Sequence, residues 1–266
     1  MSFANKVIVI TGASDGIGAE LARQLSRERP KLVLAARRLD ALKTVAAQCE
    51  ALGATNFVMA TDVSIEADCR SLIAHAVDRF GGIDALVNNA GVSMHANFDQ
   101  ITDTDVYERL MRINLMGSIW PTHAALPHLK LSKGIVVAVS SLAGLVGVPG
   151  RTTYCASKFA QTGFFEALRI ELEPDGVDVC IAYPGVVATE IRRNGWNAQG
   201  KTAGVSGLNE AGAMRVEACA GLIASMMRRR ARDEVMSAKG KLGRWLKLIA
   251  PARLDAMARA ALTKHR

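Results

Sequence analysis

The sequence predicts an α/β fold in which one parallel sheet is covered by helices on both faces. Short runs rich in Val, Ile, Leu and Ala alternate with stretches whose apolar residues recur at helical spacing. Strands that are apolar throughout are typical of a sheet buried on both sides. Glycines also gather where the first run turns into the first helix. These observations together predict a doubly wound sheet, in which ligands bind at the carboxyl ends of the strands.

Six strands are predicted in order along the chain. They cover residues 7–10, 32–35, 57–59, 84–87, 135–139 and 177–182. The first helix is predicted over residues 16–29, because Ile17, Leu21 and Leu25 fall on one face of a helix. The other intervals between strands are interpreted in the same way, as amphipathic helices that cover the sheet.

The chain of 266 residues is predicted to form one domain over residues 1–238, followed by a helical extension over residues 239–266. An α/β domain of this length commonly forms a single unit with an ample core. Half of the residues are apolar, and no Pro/Ser-rich linker or sequence repeat occurs before the final quarter of the chain. No internal domain boundary is therefore expected.

The net charge of +8 is concentrated in the extension. Residues 239–266 contain eight Lys and Arg residues against a single acid, Asp255, a balance of +7 that leaves the rest nearly neutral. The distribution of charge matters more than its total for predicting partners. No nucleic-acid partner is expected, and the basicity is assigned to the extension alone.

The cysteines predict free thiols in a reducing compartment. They stand at positions 49, 69, 155, 180 and 219, without a C-x-x-C pair or a histidine at ligand spacing. The five histidines show no ligand spacing either, so no metal site is predicted. The apolar run at 7–10 is too short for an export signal, and the uncharged stretch 134–150 is too short to span a membrane. A cytoplasmic protein is expected.

A glycine-rich segment, T11-G-A-S-D-G-I-G18, lies where the first strand turns into the first helix. Its G-x-x-x-G-x-G spacing differs from the commoner G-x-G-x-x-G, but in both patterns glycines let the backbone approach a pyrophosphate. The start of the helix adds free N–H groups and the positive end of its dipole. Taken alone, the segment is also compatible with a tightly packed turn that binds nothing.

Tyr154 and Lys158 are predicted to share one face of a helix, because residues four apart are neighbours on a helix. A cation beside a phenol favours the phenolate and suits the group to general acid/base catalysis at neutral pH. Such a pair also occurs by chance, so its companions decide the interpretation. Ser141 follows the strand at 135–139, where its hydroxyl could hydrogen-bond a substrate oxygen, and Asn114 lies in a helical segment.

With the N88-N-A-G91 segment at the end of the preceding strand, the motifs resemble those of the classical short-chain dehydrogenase/reductase family. The resemblance covers residues 7–189 and comprises six motifs in the family's order. It implies a Rossmann-type domain that binds a nicotinamide dinucleotide and transfers a hydride between a carbonyl group and an alcohol.

The resemblance implies a role for each of four residues. Tyr154 would be the catalytic acid/base, and Lys158 would favour its ionised form and hold the nicotinamide ribose. Ser141 would orient the substrate carbonyl. Asn114 would support a water-linked proton path to Lys158.

The resemblance also implies a set of cofactor contacts, to which Tyr154 and Lys158 belong. The pyrophosphate and adenosine side would be wrapped by Gly12, Ser14, Asp15, Gly16, Ile17 and Gly18. The adenine would meet Asp62 and Val63. The adenosine ribose and pyrophosphate pocket would be lined by Asn89, Ala90 and Gly91. The nicotinamide carboxamide would contact the segment 184–189, with Pro184, Gly185, Val187 and Thr189.

Two arginines predict that the dinucleotide is NADP(H). Arg37 and Arg38 follow the second strand, at the corner where an NAD site usually places an acid about 20 residues beyond the glycines. A guanidinium there can pair bidentately with a 2′-phosphate. The rival acid, Asp40, is predicted to be the N-cap of the next helix. Solvated arginines that contact no cofactor are the alternative.

The extension is predicted to form two short amphipathic helices separated by Pro251. Helical spacing is followed by Leu242, Trp245, Leu246 and Ile249, and again by Leu254, Met257, Ala258 and Ala261. Two interpretations stay open. The apolar faces either cover the substrate pocket or a subunit contact, or attach the protein to an anionic membrane surface.

Catalysis is favoured over a cofactor-binding regulator, because a non-catalytic relative would have lost part of the set of four residues. A ketoacyl carrier protein reductase is a further alternative, but such enzymes usually end soon after the last strand and this chain continues past 234–237. The extension resembles that of dehydrogenases acting on apolar substrates such as steroids, retinoids or long-chain carbonyls. Pocket walls are expected from residues 93–96, 142–151 and 190–212. A homodimer or homotetramer is expected.

Overall fold

The computed structural model describes residues 2–206 and 212–263, the last three of these by their backbone alone. Its centre is a parallel sheet in the order β3-β2-β1-β4-β5-β6-β7. The strands are β1 (Val7–Thr11), β2 (Lys31–Ala36), β3 (Thr55–Ala60), β4 (Ala85–Asn88), β5 (Ile135–Val139), β6 (Asp178–Tyr183) and β7 (Asp233–Val235). The predicted doubly wound α/β class is therefore confirmed.

Nine α-helices are described around and beyond the sheet. They are α1 (Gly16–Ser26), α2 (Leu39–Ala51), α3 (Glu66–Phe80), α4 (Asp105–Met111), α5 (Gly117–Ser132), α6 (Thr152–Leu172), α7 (Val216–Arg229), α8 (Ala238–Ile249) and α9 (Pro251–Thr263). A π-helical turn, Arg112–Met116, joins α4 to α5, and a short 3₁₀ turn, Leu142–Gly144, follows β5.

The core consists of two apolar layers, one on each face of the sheet. In β1, Ile8 and Ile10 pack into the layer under α1, α2 and α7, whereas Val9 packs into the opposite layer under α3, α5 and α6. All five residues of β1 are buried. Burial on both faces explains why the strands are apolar at every position and do not alternate.

The order of the strands reverses between β1 and β4. The chain builds β1, β2 and β3 outward in one direction, and β4 then pairs with the other edge of β1. The loops that leave these two strands diverge to opposite faces, and a crevice opens between them. This crevice contains the candidate site.

Several boundaries differ from the predicted ones. Helix α1 ends at Ser26 and not at 29, and its last residue hydrogen-bonds back to the Ala22 carbonyl through its hydroxyl. Strand β7 was not among the six predicted strands, because a three-residue strand containing Asp233 and Glu234 has no apolar run.

The five cysteines are buried and form no disulfide. Within residues 2–206 and 212–263, no helix combines the length and the apolar composition needed to cross a membrane. The same residues contain no group of three or more His, Cys, Asp or Glu side chains placed to hold a metal ion.

Candidate active site

A cleft of about 560 Å³ opens at the carboxyl ends of the strands. Each strand from β1 to β6 contributes the residues that follow it. The cleft is lined by Gly12, Ser14, Asp15, Gly16, Ile17, Ala36, Arg37, Arg38, Thr61, Asp62, Val63, Asn89, Ala90, Gly91, Val92, Ile113, Val139, Ser140, Ser141, Arg151, Tyr154, Lys158, Pro184, Gly185, Val187, Thr189, Ile191, Arg192, Asn194, Trp196 and Thr202. All the sequence-predicted site residues except Gly18 and Asn114 are in this set.

The glycine-rich turn after β1 has a backbone that only glycine adopts readily. Gly12 and Gly16 have φ angles of +64° and +55°. A Cβ atom on Gly18 would lie 2.5 Å from the Gly12 carbonyl oxygen, so this glycine allows α1 to pack closely against the turn. The Asp15 side chain does not cap the start of α1, so the first N–H groups of this helix stay free of a side-chain capping bond, and Gly16 and Ile17 line the cleft. These features fit the pyrophosphate of a dinucleotide.

The side chain of Asn89 ties the glycine turn to the end of β4. Its Nδ2 donates to the carbonyl oxygens of Thr11 and Gly12, each at 3.0 Å. The backbone N–H groups of Asn89 and Ala90 donate to Thr11 Oγ1, each at 3.1 Å. Asn89 therefore fixes the shape of the turn as well as lining the cleft.

The end of β3 brings Asp62 and Val63 to the cleft, where the adenine is predicted. The Asp62 carboxylate accepts hydrogen bonds from the Ser64 backbone N–H at 2.9 Å and the Ser64 hydroxyl at 2.7 Å. The Asp62 N–H in turn donates to the Asp68 carboxylate at 3.0 Å. These bonds hold the loop in a fixed turn before α3.

Arg37 and Arg38 lie at the end of β2, and both line the cleft. The Arg38 guanidinium forms a salt bridge with the Asp15 carboxylate across the adenosine end. Arg37 is exposed and forms no salt bridge with the residues that the structure describes. Its guanidinium is therefore open to an anionic ligand.

The prediction for Asp40 was wrong. Helix α2 begins at Leu39, and Arg38 occupies its N-cap position. Asp40 lies inside the first turn, where its negative charge interacts favourably with the helix dipole and needs no capping bond.

Three of the four residues with implied catalytic roles line the cleft together. Tyr154 and Lys158 lie in the first two turns of α6, and Ser141 follows β5. The Ser141 Oγ accepts a hydrogen bond from the Ala143 N–H at 3.2 Å, so its own hydrogen stays available to a ligand. Phenol, ammonium and hydroxyl therefore open into one space.

Asn114 lies behind the cleft, in the π-helical turn between α4 and α5. Its Oδ1 accepts from the Val92 N–H at 2.8 Å, and its Nδ2 donates to the Val92 carbonyl and to Ser157 Oγ, both at 3.0 Å. π-helical turns inside α-helices are frequent at functional sites. Here the turn aims the Asn114 side chain at the loop after β4 and at the residue next to Lys158.

The ammonium of Lys158 joins a network that the sequence did not predict. Its Nζ donates to the Val139 carbonyl at 2.9 Å and to Gln161 Oε1 at 3.1 Å. The Gln161 Nε2 donates to the Asn114 carbonyl at 3.2 Å. One amide thus connects Lys158 to Asn114, and the water-linked path stays a prediction. Gln161 is three residues from Lys158, a helical spacing that could have revealed it.

Arg151 is a further site residue, and the sequence predicted it only as part of a pocket wall. Its guanidinium carbon lies 4.1 Å from the centre of the Tyr154 ring. The guanidinium is held by hydrogen bonds from Nη2 to Ser93 Oγ at 2.5 Å and from Nε to the Met94 carbonyl at 3.4 Å. A cation is therefore stacked on the phenol that is the candidate acid/base.

The inner part of the cleft is electropositive. Arg151, Lys158 and Arg192 line it, whereas the lining acids, Asp15 and Asp62, belong to the adenosine end. Burial, and secondarily the charge of Arg151, lowers the pKa of Lys158 to about 7. This part of the cleft suits a ligand with oxygen atoms that carry negative charge.

The pKa of Lys158 leads to a prediction about folding stability. Because burial lowers this pKa from 10.5 to about 7, the unfolded chain binds more protons between these values, and stability rises with pH there. The loss of folding stability caused by burying the charged ammonium is present in full below pH 7 and disappears above pH 10.5. At low pH we expect Lys158→Met to unfold at a higher urea concentration than the wild type. Its free energy of unfolding should be larger by about a few kcal/mol.

Urea titrations of both proteins without cofactor, at pH 6.5 and pH 9, measure the difference between their free energies of unfolding. We expect the advantage of the variant to shrink at the higher pH. A Lys158→Met protein that is less stable at both pH values would contradict the prediction.

The predicted pocket walls are brought together only in part. From the segment 190–212, the cleft is lined by Ile191, Arg192, Asn194, Trp196 and Thr202; residues 207–211 lie outside the described residues. The segment 93–96 lies behind the cleft, where the backbones of Ser93 and His95 hydrogen-bond with Trp196. From 142–151, Arg151 alone lines it.

Taken together, the doubly wound sheet, the glycine turn and the clustered Ser, Tyr and Lys side chains define a nucleotide-binding oxidoreductase of the Rossmann type. A family profile described as short chain dehydrogenase matches residues 6–200. The chain belongs to the short-chain dehydrogenase/reductase family, whose members use NAD(H) or NADP(H) and a small-molecule substrate.

Curated relatives extend this assignment. The 11-beta-hydroxysteroid dehydrogenase-like 4A protein of Arabidopsis thaliana is 43% identical over 183 residues, 68% of this chain and 61% of that protein. The chain thus matches less than two thirds of that relative. A dehydrogenase/reductase SDR family protein 7-like protein of Dictyostelium discoideum is 33% identical over 260 residues, 96% of this chain and 81% of that protein.

A solved structure resembles the fold over most of its length. It is the alcohol dehydrogenase of the archaeon Thermococcus sibiricus, complexed with 5-hydroxy-NADP. The two chains are 27% identical with a TM-score of 0.74, and the match covers 84% of this chain and 90% of that one.

Proposed function

We propose that the protein transfers a hydride between NADP(H) and a carbonyl group or secondary alcohol, with Tyr154 as the acid/base. The observation that carries the proposal is the cleft itself. Tyr154, Lys158 and Ser141 line its inner part, and the glycine turn lines its outer part. One bound dinucleotide can therefore reach from the turn to the phenol.

The bound cofactor supplies or accepts the hydride at its nicotinamide ring. In the reduction direction, the Tyr154 hydroxyl donates its proton to the carbonyl oxygen, and in oxidation the phenolate takes a proton from the alcohol. The free hydrogen of Ser141 Oγ donates to the same substrate oxygen. Both groups act on the atom where negative charge develops.

Two cations support the loss of the Tyr154 proton. The Arg151 guanidinium is stacked on the ring, and Lys158 lies one helical turn further along α6. Positive charge beside the phenol, from Arg151 and from Lys158 while it is protonated, stabilises the phenolate that forms when the proton leaves. The hydrogen bonds of both cations to neighbouring groups hold them in place before the substrate binds.

The choice of NADP(H) rests on the adenosine end. Arg37 and Arg38 line the place where a 2′-phosphate would lie, and Arg37 forms no salt bridge with the described residues. The similar archaeal alcohol dehydrogenase was solved with an NADP derivative, which supports the same choice here.

The substrate is proposed to be an apolar carbonyl compound or alcohol of the steroid, retinoid or long-chain kind. Several plant relatives carry the name 11-beta-hydroxysteroid dehydrogenase, including one from Pinus massoniana at 40% identity. Val92, Ile191 and Trp196 offer apolar surface in the cleft. A cytoplasmic location and assembly as a homodimer or homotetramer complete the proposal, and light scattering of the purified protein tests the assembly.

A screen of ketones and aldehydes with NADPH, followed by oxidation of the cofactor, tests the function. We expect turnover with apolar ketones and none with Tyr154→Phe. Tight binding of NADPH without turnover of any carbonyl compound would favour the regulator alternative and overturn the proposal.

A further inference from the structure

Helix α8 is attached to the body of the protein by one side only. Gly240 and Gly243 are buried on that side, and a Cβ atom on Gly240 would lie 2.5 Å from Leu142 Cδ2. The Lys247 Nζ donates to the Leu145 carbonyl at 2.9 Å and lies 4.4 Å from the centre of the Phe159 ring. The small glycines therefore form the attached side, beside the loop that follows Ser141.

Most of the large apolar residues of α8 lie away from that side, whereas Leu246 is half-buried. At about 100° per residue, Leu242, Trp245 and Ile249 fall within about 60° of one another, opposite Gly243 and Lys247. Their exposed fractions are 52%, 65% and 77%, and Leu248 is 71% exposed. The two predicted helices are confirmed, but the apolar side of α8 points away from the chain.

This exposed side covers no part of the cleft. No described residue of α8 or α9 is among those that line it. In α9, Leu254 packs near Gly243, whereas Met257 is 52% exposed; the side chain of Ala261 lies outside the described residues. Several exposed large apolar side chains on one side of a helix, as in α8, mark a contact with something outside the chain.

Charge identifies the partner. On the helix, Lys241 lies next to Trp245 on one side of the apolar stripe and Lys239 lies beyond Leu242 on the other. Lys239, Lys241, Arg253 and Arg259 form no salt bridge with the residues that the structure describes, and all four are exposed. A second copy of the chain would bring these like charges together, whereas an anionic lipid surface would neutralise them.

We propose that α8 and α9 form a membrane-docking surface, made of Leu242, Trp245, Leu248, Ile249 and Met257 with the flanking basic residues, that binds an anionic lipid surface. The helices lie in the plane of the interface, with Trp245 at the depth of the headgroups and the basic side chains on the lipid phosphates. The proposal does not depend on the catalytic assignment, because none of these residues lines the cleft.

Sedimentation of the full chain with vesicles of phosphatidylcholine, with and without phosphatidylserine, tests the proposal. We expect binding to the anionic vesicles that weakens at high salt and little binding to the neutral ones. Trp245→Ser with Ile249→Ser is expected to weaken the vesicle binding constant at least tenfold, and so is Lys239→Gln with Lys241→Gln at low salt.

Leu131→Ser is the matched control, because Leu131 is a large apolar residue, 85% exposed, in the last turns of α5. We expect it to bind vesicles like the wild type. Thermal melts check that each variant is folded. The proposal would be overturned if the Trp245/Ile249 variant sedimented with anionic vesicles as much as the wild type does, or if the full chain did not bind these vesicles. A fall in molar mass of the Trp245/Ile249 variant by light scattering, without vesicle binding by the wild type, would identify a subunit contact instead.

Discussion

Replacing Tyr154 with Phe is expected to lower turnover by about 10²–10⁴-fold, the range of a general acid/base. Binding of NADPH is expected to stay near the wild-type value, because the hydroxyl acts on the substrate oxygen in the transition state. The ring that Arg151 stacks on is retained in Phe, so the local packing should persist. Steady-state kinetics and a cofactor titration measure the two effects separately.

Tyr107→Phe is the matched control for this variant. Tyr107 lies in α4, and its ring is tilted by 33° against that of Phe98, with the centroids 6.2 Å apart. It is absent from the residues lining the cleft. We expect it to keep wild-type kinetics. Retention of more than a few per cent of wild-type turnover by Tyr154→Phe would show that another group supplies the proton.

Replacing Arg37 with Asp together with Arg38→Ala is expected to move the cofactor preference from NADPH towards NADH. A charge-assisted hydrogen bond to a phosphate contributes about 1.5–3 kcal/mol, or roughly tenfold or more in affinity per bond. Removing Arg38 also releases the Asp15 carboxylate from its salt bridge, which leaves an acid at the adenosine end for ribose hydroxyls.

The ratio of kcat/KM for NADPH to that for NADH, measured on the wild type, on the double variant and on Arg37→Ala and Arg38→Ala separately, checks this expectation. Arg37→Ala should lower the ratio more than Arg38→Ala, because Arg38 already bonds to Asp15. A wild-type enzyme that prefers NADH would contradict the cofactor assignment.

The sequence was informative where a local pattern has a single structural outcome. Continuous apolar runs predicted the strands, because neighbours such as Ile8 and Val9 point to opposite faces of the sheet, and both are buried only when helices cover both faces. The glycine turn was predictable for the same reason, since the positive φ angles of Gly12 and Gly16 exclude most other residues.

Contacts between distant segments were not predictable from the sequence. Arg151 is placed on Tyr154 by Ser93, which is 58 residues away, and Gln161 reaches Asn114 across 47 residues. The orientation of α8 was left open by the sequence for a similar reason. An amphipathic pattern defines an apolar face but does not tell whether that face packs on the chain or on an outside surface. Here Gly240 allows the opposite face to approach Leu142, and Lys247 on that face bonds to the Leu145 carbonyl.

Transfer of an isotope from cofactor to product tests the central claim most directly. The enzyme is given a ketone found by the screen, together with equal amounts of NADPH deuterated at the nicotinamide C4 and unlabelled NADH, and mass spectrometry of the alcohol reports the hydride source. Both faces of C4 are labelled in separate experiments. We predict deuterium on the carbinol carbon for one face, and almost no alcohol with Tyr154→Phe. Alcohol that carries only protium in both experiments would contradict the claim that this chain is an NADP(H)-dependent carbonyl oxidoreductase.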